Sequence, residues 1–239
     1  MKQRLDQALV ALGLVATRSQ GESYIKLGHI KVNGRVVNKP GNLVDETDLV
    51  TISSIEQYVS RAALKLASVS QALKLDFKNK TVLDVGSSTG GFTDYALKHG
   101  AAKVISVEVG TDQLHPSLRG NPQIELHEKT DIRDFKTDQN IDIVVADVSF
   151  ISLRNILPSV AKLCTKQTQI AVMVKPQFEA AQSNVKHNGV IKNDSMRRDI
   201  LKDFEAWTHQ QFVIINKADS EIAGAKGNKE RFYLLKKTA

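Results

Sequence analysis

The chain has 239 residues, a net charge of +7 and a sequence isoelectric point near 9.4. This length allows a small domain joined to one of typical size, and the positive charge favours a polyanionic partner such as nucleic acid. A single cysteine excludes an intramolecular disulfide and any multi-cysteine metal site, and no apolar run reaches the roughly 18 residues that span a bilayer.

These properties favour a cytoplasmic protein with neither a metal nor a membrane partner. The six histidines show no metal-ligand spacing.

Residues 1–55 predict a small α+β domain. Two helices, a hairpin around Asn33-Gly34 and one further strand are expected, because Asn-Gly is the strongest short hairpin signal and Gly28 suits a helix end. The predicted elements are helices 4–14 and 19–27 and strands 29–32, 35–37 and 49–52. Residues 1–40 contain seven basic and two acidic side chains, so this segment is the first candidate for phosphate contacts.

The stretch TRSQGESYIKLGHIKVNGRVV (17–37) resembles the αL RNA-binding module first described in a small-subunit ribosomal protein. The resemblance implies an RNA-facing set of Arg4, Arg18, Ser19, Lys26, Lys31 and Arg35, joined by Arg61 from the next helix. A solvated basic face on a purely structural domain is the alternative interpretation.

Residues 56–239 predict a larger α/β domain, after a polar linker at 53–57. A helix is expected over 60–73, followed by four apolar, β-branched runs of strand length that alternate with helical segments. These runs are TVLDVG (81–86), AKVISVEVG (102–110), IDIVVADVS (141–149) and TQIAVMVKP (168–176). The alternation predicts a Rossmann-like, mainly parallel sheet covered on both faces.

The loop LDVGSSTGGF (83–92) follows the first of these strands. It lacks the Gly-x-Gly-x-x-Gly spacing of dinucleotide-binding loops, and Asp84 suits a ligand that carries an ammonium group. Glu108, 24 residues on, is placed to accept hydrogen bonds from ribose hydroxyls, and Asp131 is a candidate for an adenine amine. Alternatively, the glycines only permit close helix-strand packing.

This arrangement resembles class I methyltransferases and implies S-adenosylmethionine as cofactor, on a seven-stranded sheet. The implied cofactor-binding set is Asp84, Gly86, Ser87, Gly90, Phe92, Glu108, Asp131 and Asp147.

The type of acceptor is indicated by residues at the strand ends. No Asn/Asp-Pro-Pro-Tyr/Phe motif of amine methylation ends the strand IDIVVADVS, where the chain reads ADVSF (146–150), and Cys164 lies far from any loop motif that would support carbon methylation. Lys65, Asp147 and Lys175 instead occupy a helix and two strand ends, where ligands bind in parallel sheets. With Glu230 they resemble the Lys-Asp-Lys-Glu tetrad of FtsJ-like ribose 2'-O-methyltransferases.

Four motifs, YVSRAALKL, ADVSFISL, VKPQFE and GNKERF, together with the N-terminal module, identify the chain as a member of the TlyA family of ribosomal RNA methyltransferases, often called haemolysins. The resemblance implies methyl transfer to the ribose 2'-hydroxyl of a cytidine in ribosomal RNA or a ribosomal subunit. In this interpretation Lys175 removes or polarises the hydroxyl proton and Asp147 orients Lys175, while Glu230 holds Lys65 at the hydroxyl.

Several points stay open at this level. Ala62-Ala63 replaces the two glycines usual in the family, and Glu221 competes with Glu230 for the distal carboxylate role. A flap over 180–198 is expected to contact RNA, and an ordinary surface loop is the alternative. Two other functions compete with catalysis: a non-catalytic RNA-binding or ribosome-assembly protein, and a membrane-active haemolysin.

Overall fold

The computed structural model describes residues 2–15, 17–53, 58–181, 189–224 and 226–238. The centre of the predicted linker, the domain boundary expected at 55/56 and residues 182–188 of the predicted flap lie outside the described residues.

The N-terminal module contains two helices and two small sheets, as the α+β prediction requires. Its elements are β1 (Gln3–Arg4), α1 (Leu5–Ala11), α2 (Arg18–Lys26), β2 (Ile30–Val32), β3 (Arg35–Val36), β4 (Leu43–Val44) and β5 (Val50–Ile52). Strand β1 pairs with β4, and the other strands form an antiparallel sheet in the order β3-β2-β5. Asn33 and Gly34 both have positive φ, as the turn type predicted from Asn-Gly demands.

Helix α1 is shorter than the predicted 4–14. Arg4 is extended and paired in β1, and Gly13 adopts a φ of +68°, which turns the chain after the helix. The apolar spacing continues past this turn because Leu14 still packs against the core. Periodicity therefore marked the buried face correctly but overestimated the helix length.

The C-terminal domain is built on one seven-stranded sheet. Its helices and strands are α3 (Arg61–Leu73), β6 (Thr81–Val85), α4 (Gly91–Lys98), β7 (Lys103–Val107), β8 (Ile124–His127), β9 (Ile143–Ala146), α5 (Leu157–Lys162), β10 (Gln169–Val174), α6 (Pro176–Glu179), α7 (Asp194–Thr208), β11 (Phe212–Asp219) and β12 (Arg231–Lys237). The sheet order is β11-β12-β10-β9-β6-β7-β8, and only the pairings of β12 are antiparallel. The predicted mainly parallel, Rossmann-like sheet is confirmed.

Strand alternation places one core on each face of this sheet. Val82 faces a cluster that continues through α3 into the N-terminal module, whereas its neighbour Leu83 faces the cluster beneath α5 and α7. Because every central strand is covered twice, its sequence is an almost continuous apolar run. The sequence order of the strands reverses between β6 and β9, and a ligand crevice is expected outside their carboxyl ends.

Among the described residues no helix combines the length and apolarity that crossing a bilayer demands. No group of three or more His, Cys, Asp or Glu side chains in this part of the chain is arranged to hold a metal ion.

Candidate active site

The crevice at the ends of β6 and β9 contains a cavity of about 420 Å³. Gly86 and Asp147, which follow these two strands, both line it, together with Glu108 from the end of β7 and Asp131 from beyond β8. The parallel sheet therefore brings residues separated by more than 60 positions to one edge. All four belong to the predicted cofactor-binding set.

Close backbone approach explains the glycines of the 83–92 loop. A Cβ on Gly86, whose φ is +77°, would lie 2.9 Å from the carbonyl oxygen of Asp147. A Cβ on Gly90 would overlap two leucine side chains, and one on Gly91 would lie 2.8 Å from the Cβ of Ala62. Helix α3 thus packs closely against the start of α4 through Ala62 and Ala63.

Asp84 lies at the floor of a smaller adjoining cavity of about 130 Å³, which Ser87 and Phe92 also line. Its side chain is completely buried, and Oδ2 accepts a 2.7 Å hydrogen bond from the Thr93 hydroxyl. Oδ1 has no hydrogen-bond partner among the described residues. Burial raises the pKa of this carboxyl to about 7. A buried, unsatisfied acceptor of this kind fits a cationic ligand group.

Glu108 and Asp131 present two further carboxylates to the larger cavity. Each oxygen of Glu108 accepts one backbone N–H bond, from Ser88 at 2.9 Å and from Gly110 at 2.8 Å, and so retains acceptor capacity. Asp131 is bound by Arg133, whose hydrogen bonds lower the pKa of the carboxyl. Both groups are therefore fixed hydrogen-bond acceptors for a polar ligand.

Two lysine-carboxylate pairs lie beside these cavities. Lys175 Nζ is 2.6 Å from Asp147 Oδ1 and donates a 2.8 Å hydrogen bond to the hydroxyl of Ser149. Lys65 Nζ is 2.5 Å from Glu230 Oε2. Lys65, Lys175 and Glu230 all line a third cavity of about 360 Å³, which shares Ser149 with the two ligand cavities.

The position of Glu230 differs from that of its competitor. Glu230 is buried directly before β12, and burial raises the pKa of its carboxyl while the Lys65 ammonium opposes that rise. Glu221 is exposed, and its backbone N–H donates a 3.4 Å hydrogen bond to the Ser68 hydroxyl of α3. The geometry therefore favours Glu230 as the distal carboxylate.

Phe150 and Phe178 border the third cavity and escaped the sequence-based selection of site residues. Phe150 is 92% exposed, has a φ of +66°, and its ring centroid lies 5.3 Å from that of Phe178. The sequence offers one signal for such a role: Phe150 is an aromatic residue in the loop after β9, where polar residues are expected. An exposed aromatic ring held in an unfavourable backbone conformation points to a ligand-contacting role.

Asn228 was also not among the site residues predicted from the sequence. Its side chain accepts a hydrogen bond from the Ile191 N–H at 2.8 Å and donates one to the Gly189 carbonyl at 3.0 Å. The described end of the predicted flap is thereby tied to the loop that carries Glu230.

The predicted RNA-facing residues divide into three groups. Arg4 and Arg18 both bind the buried carboxylate of Asp6, at 2.9 and 2.8 Å, while their own side chains stay 43% and 52% exposed. Burial alone would raise the pKa of Asp6, but the hydrogen bonds from the two arginines hold it at about 2.

Lys26, Lys31 and Arg35 lie on the surface of the same module, with Lys26 and Arg35 exposed and Lys31 half-buried.

Ser19 and Arg61 instead contact each other. The Arg61 guanidinium donates to the Ser19 hydroxyl at 2.5 Å and to the Ala223 carbonyl at 2.8 Å. This contact connects α2 of the N-terminal module to α3 of the sheet domain and to the loop next to Glu230. Both residues were predicted from the sequence to contact RNA, and no sequence pattern indicates the hydrogen bond between them.

Two family models match the chain. Residues 58–237 match the FtsJ-like methyltransferase family, and residues 3–50 match the S4 domain.

Relatives and solved structures extend these matches over most of the chain. The 23S rRNA (cytidine-2'-O)-methyltransferase TlyA of Campylobacter jejuni is 42% identical over 80% of this chain and 75% of its own. The 16S/23S rRNA (cytidine-2'-O)-methyltransferase TlyA of Mycobacterium tuberculosis is 34% identical over 98% and 89%. A solved structure from Streptococcus thermophilus, described as a candidate hemolysin, has a TM-score of 0.72 and 33% identity, covering 99% of this chain and 89% of that one. The chain belongs to the TlyA family of FtsJ-like methyltransferases.

Proposed function

We propose that the protein transfers a methyl group from S-adenosylmethionine to the ribose 2'-hydroxyl of a cytidine in ribosomal RNA. One observation carries the proposal: Lys175 and the Lys65–Glu230 pair line one cavity, and Lys175 with its partner Asp147 also lines the adjoining Asp84 pocket. The names of the relatives from Campylobacter jejuni and Mycobacterium tuberculosis supply the cytidine and the ribosomal RNA.

The carboxylates of the crevice fit S-adenosylmethionine as hydrogen-bond acceptors. The unsatisfied Oδ1 of Asp84 suits the methionine ammonium, Glu108 suits the ribose hydroxyls, and Asp131 suits the adenine amine. When bound, this cofactor supplies a methyl group already activated by a positively charged sulfur. The protein therefore needs to act mainly on the acceptor.

The lysine pairs suit activation of a ribose hydroxyl, which is a weak acid and a poor nucleophile. Lys175 Nζ removes or polarises the hydroxyl proton, and Asp147 and Ser149 fix the position of that nitrogen. Lys65 Nζ donates a hydrogen bond to the 2'-oxygen, and Glu230 fixes Lys65. Alignment of the oxygen with the methyl carbon is the other contribution of these side chains.

The surroundings of the cavity suit RNA. The exposed ring of Phe150, supported by Phe178, offers a stacking surface to an unstacked base. The exposed cations of the N-terminal module suit phosphate contacts that set register without reading sequence. A non-catalytic RNA-binding protein would gain nothing from two largely buried lysine-carboxylate pairs, whose desolvation is costly.

The test is transfer of a radiolabelled methyl group from S-adenosylmethionine to ribosomal subunits and to free ribosomal RNA from cells that lack the protein. Lys175→Ala is compared with Lys166→Ala, which removes an exposed lysine outside the cavity that contains Lys175. We expect labelled 2'-O-methylcytidine with the wild type and Lys166→Ala, and a loss of at least 100-fold with Lys175→Ala. A protein that binds the cofactor but labels neither form of RNA would refute the proposed function.

A further inference from the structure

The segment Val148–Ser152, here called the wall segment, separates two cavities. The cavity of about 420 Å³ at the ends of β6 and β9 is here called the cofactor cavity, and the cavity of about 360 Å³ that Lys65 and Lys175 line is called the substrate cavity. Val148 and Ile151 line the cofactor cavity, and Ser149 and Phe150 line both. We propose that Glu179 is a positioning residue for methyl transfer, because its buried carboxylate fastens the wall segment to the stretch that carries Lys175. The inference rests on the proposed function and extends it to a residue outside the cavities.

Glu179 is 1% exposed and lies at the end of α6. Its Oε2 accepts a 2.6 Å hydrogen bond from the Ser152 hydroxyl, and its Oε1 accepts a 2.7 Å bond from the Leu153 N–H. The Nε atom of Arg154 lies 3.5 Å from Glu179 Oε2. Burial raises the pKa of Glu179, and these donors oppose the rise. Both carboxylate oxygens are thus used to hold the residues that end and follow the wall segment.

The other end of the wall segment is held from the same side. Lys175 Nζ donates to Ser149 and pairs with Asp147 immediately before the segment. Lys175 and Glu179 stand four residues apart, at the start and the end of one short turn. Two side chains of a single stretch therefore fix both ends of the wall segment.

The conformation between these two ends needs such support. Phe150 has a φ of +66°, a region that bulky residues rarely adopt, and its exposed ring contributes little burial in return. Without the Glu179 contact, we expect the wall segment to relax. Relaxation would shift the Ser149 hydroxyl, to which Lys175 donates, and would change the shape of the cofactor cavity.

The substitution Glu179→Gln tests this role with little change in shape. It replaces one acceptor oxygen by an amide that donates, and that amide then faces the Ser152 hydroxyl or the Leu153 N–H. Ser152→Ala removes one of the two donors. Glu205→Gln is the matched control, because Glu205 also accepts a hydrogen bond, from Tyr233, but lines none of the three cavities.

The measurements are kcat, the KM for ribosomal subunits, the affinity for S-adenosylmethionine and stability in urea, in a double-mutant cycle of Glu179→Gln and Ser152→Ala. Misplacement of a reacting group by about 1 Å costs on the order of 100-fold. We therefore expect kcat to fall about 10- to 100-fold in Glu179→Gln, with the KM for subunits within about twofold, since docking through the N-terminal module is intact. The double variant should be no slower than Glu179→Gln alone.

Several outcomes would overturn the inference: an unchanged kcat with lowered stability, effects that multiply in the double variant, or an equal loss of kcat in Glu205→Gln. An inactive wild type would refute the proposed function instead. In that case the cofactor affinities decide the inference, because a wall segment held by Glu179 requires weaker binding in Glu179→Gln and no further weakening in the double variant.

Discussion

Lys175 Nζ lies 2.6 Å from Asp147 Oδ1, so one ion pair joins the ends of the adjacent parallel strands β10 and β9. Both side chains line the Asp84 pocket; Asp147 also lines the cofactor cavity, and Lys175 also lines the substrate cavity. The pair therefore stands at the boundary between the proposed donor and acceptor sites. That position is where a group acting on the acceptor hydroxyl has to be.

The distal carboxylate can be assigned by substitution. Glu230→Gln leaves Lys65 without its charged partner in a largely buried site, whereas Glu221→Gln changes an exposed side chain. We expect at least a 100-fold loss of kcat for Glu230→Gln and a change within twofold for Glu221→Gln. Single-turnover methyl transfer with each variant measures this, and equal losses would contradict the assignment of Glu230.

The pKa of Asp84 predicts a pH dependence of cofactor binding. The carboxyl is protonated in the unliganded protein below a pH of about 7, and only the ionised form pairs with an ammonium group. Affinity should therefore fall roughly tenfold between pH 7 and pH 5.5, a range in which the α-ammonium of the ligand, with a pKa near 8, stays charged. Calorimetric titration of S-adenosylmethionine checks the slope.

The variant Asp84→Asn separates this effect from other titrations. It should bind more weakly at pH 7 and show little pH dependence over the same range, because the amide cannot ionise. A wild-type affinity that stays constant from pH 7 to pH 5.5 would mean that Asp84 does not meet the ammonium.

The strands and carboxylates of this site could be predicted from the sequence, but the contacts that fix its loops could not. Apolar runs predicted the strands, and Asp84 near the end of β6 and Glu108 after β7 could be selected because the carboxyl ends of adjacent parallel strands reach the same edge. The hydrogen bonds of Glu179 and the φ of Phe150 leave no such pattern. They depend on how a loop turns after the strand, which neither periodicity nor residue type specifies.

The partners of basic residues are likewise not specified by the sequence. The family resemblance implied RNA contacts for both Arg18 and Arg61, but their guanidinium groups bind Asp6 and Ser19 within the protein. A positive charge in a sequence marks a possible anion partner, and only the fold reveals whether that partner lies inside the molecule.

Phe150 should show opposite effects on activity and on stability. Phe150→Gly removes the proposed stacking surface, worth about 1–3 kcal/mol per base, and so should lower kcat/KM for RNA about tenfold or more. Glycine also accepts a φ of +66° without strain, so the free energy of unfolding should be unchanged or higher. Phe150→Trp should keep most of the activity. Urea denaturation measures the stability and methyl transfer the activity. A strongly destabilised glycine variant would show that the backbone at Phe150 is not strained.

Asp6 predicts acid sensitivity of the N-terminal module. Its folded pKa of about 2 lies below the ordinary value of 3.8, so its contribution to stability is present above pH 4 and is lost as the pH falls toward 2. Asp6→Asn should lower the free energy of unfolding by about 1–2 kcal/mol at pH 7, since Arg4 and Arg18 lose a charged acceptor. This difference from the wild type should shrink below pH 4 in urea denaturation, and a constant difference would exclude the ion pairs as its source.

Salt dependence of RNA binding distinguishes phosphate contacts from a merely solvated basic face. Each cation that touches a phosphate contributes about 0.7 to 0.9 to the slope of log affinity against log salt. Arg35→Ala and Lys31→Ala should each reduce the slope by roughly that amount, whereas Lys166→Ala should leave it unchanged. Arg61→Ala should behave differently, because its guanidinium is bonded to Ser19 and Ala223 and its loss removes a hydrogen-bonded link between the two domains. We expect Arg61→Ala to keep the slope and to lose methyl transfer. An unchanged slope in Arg35→Ala and Lys31→Ala would show that RNA binds another surface.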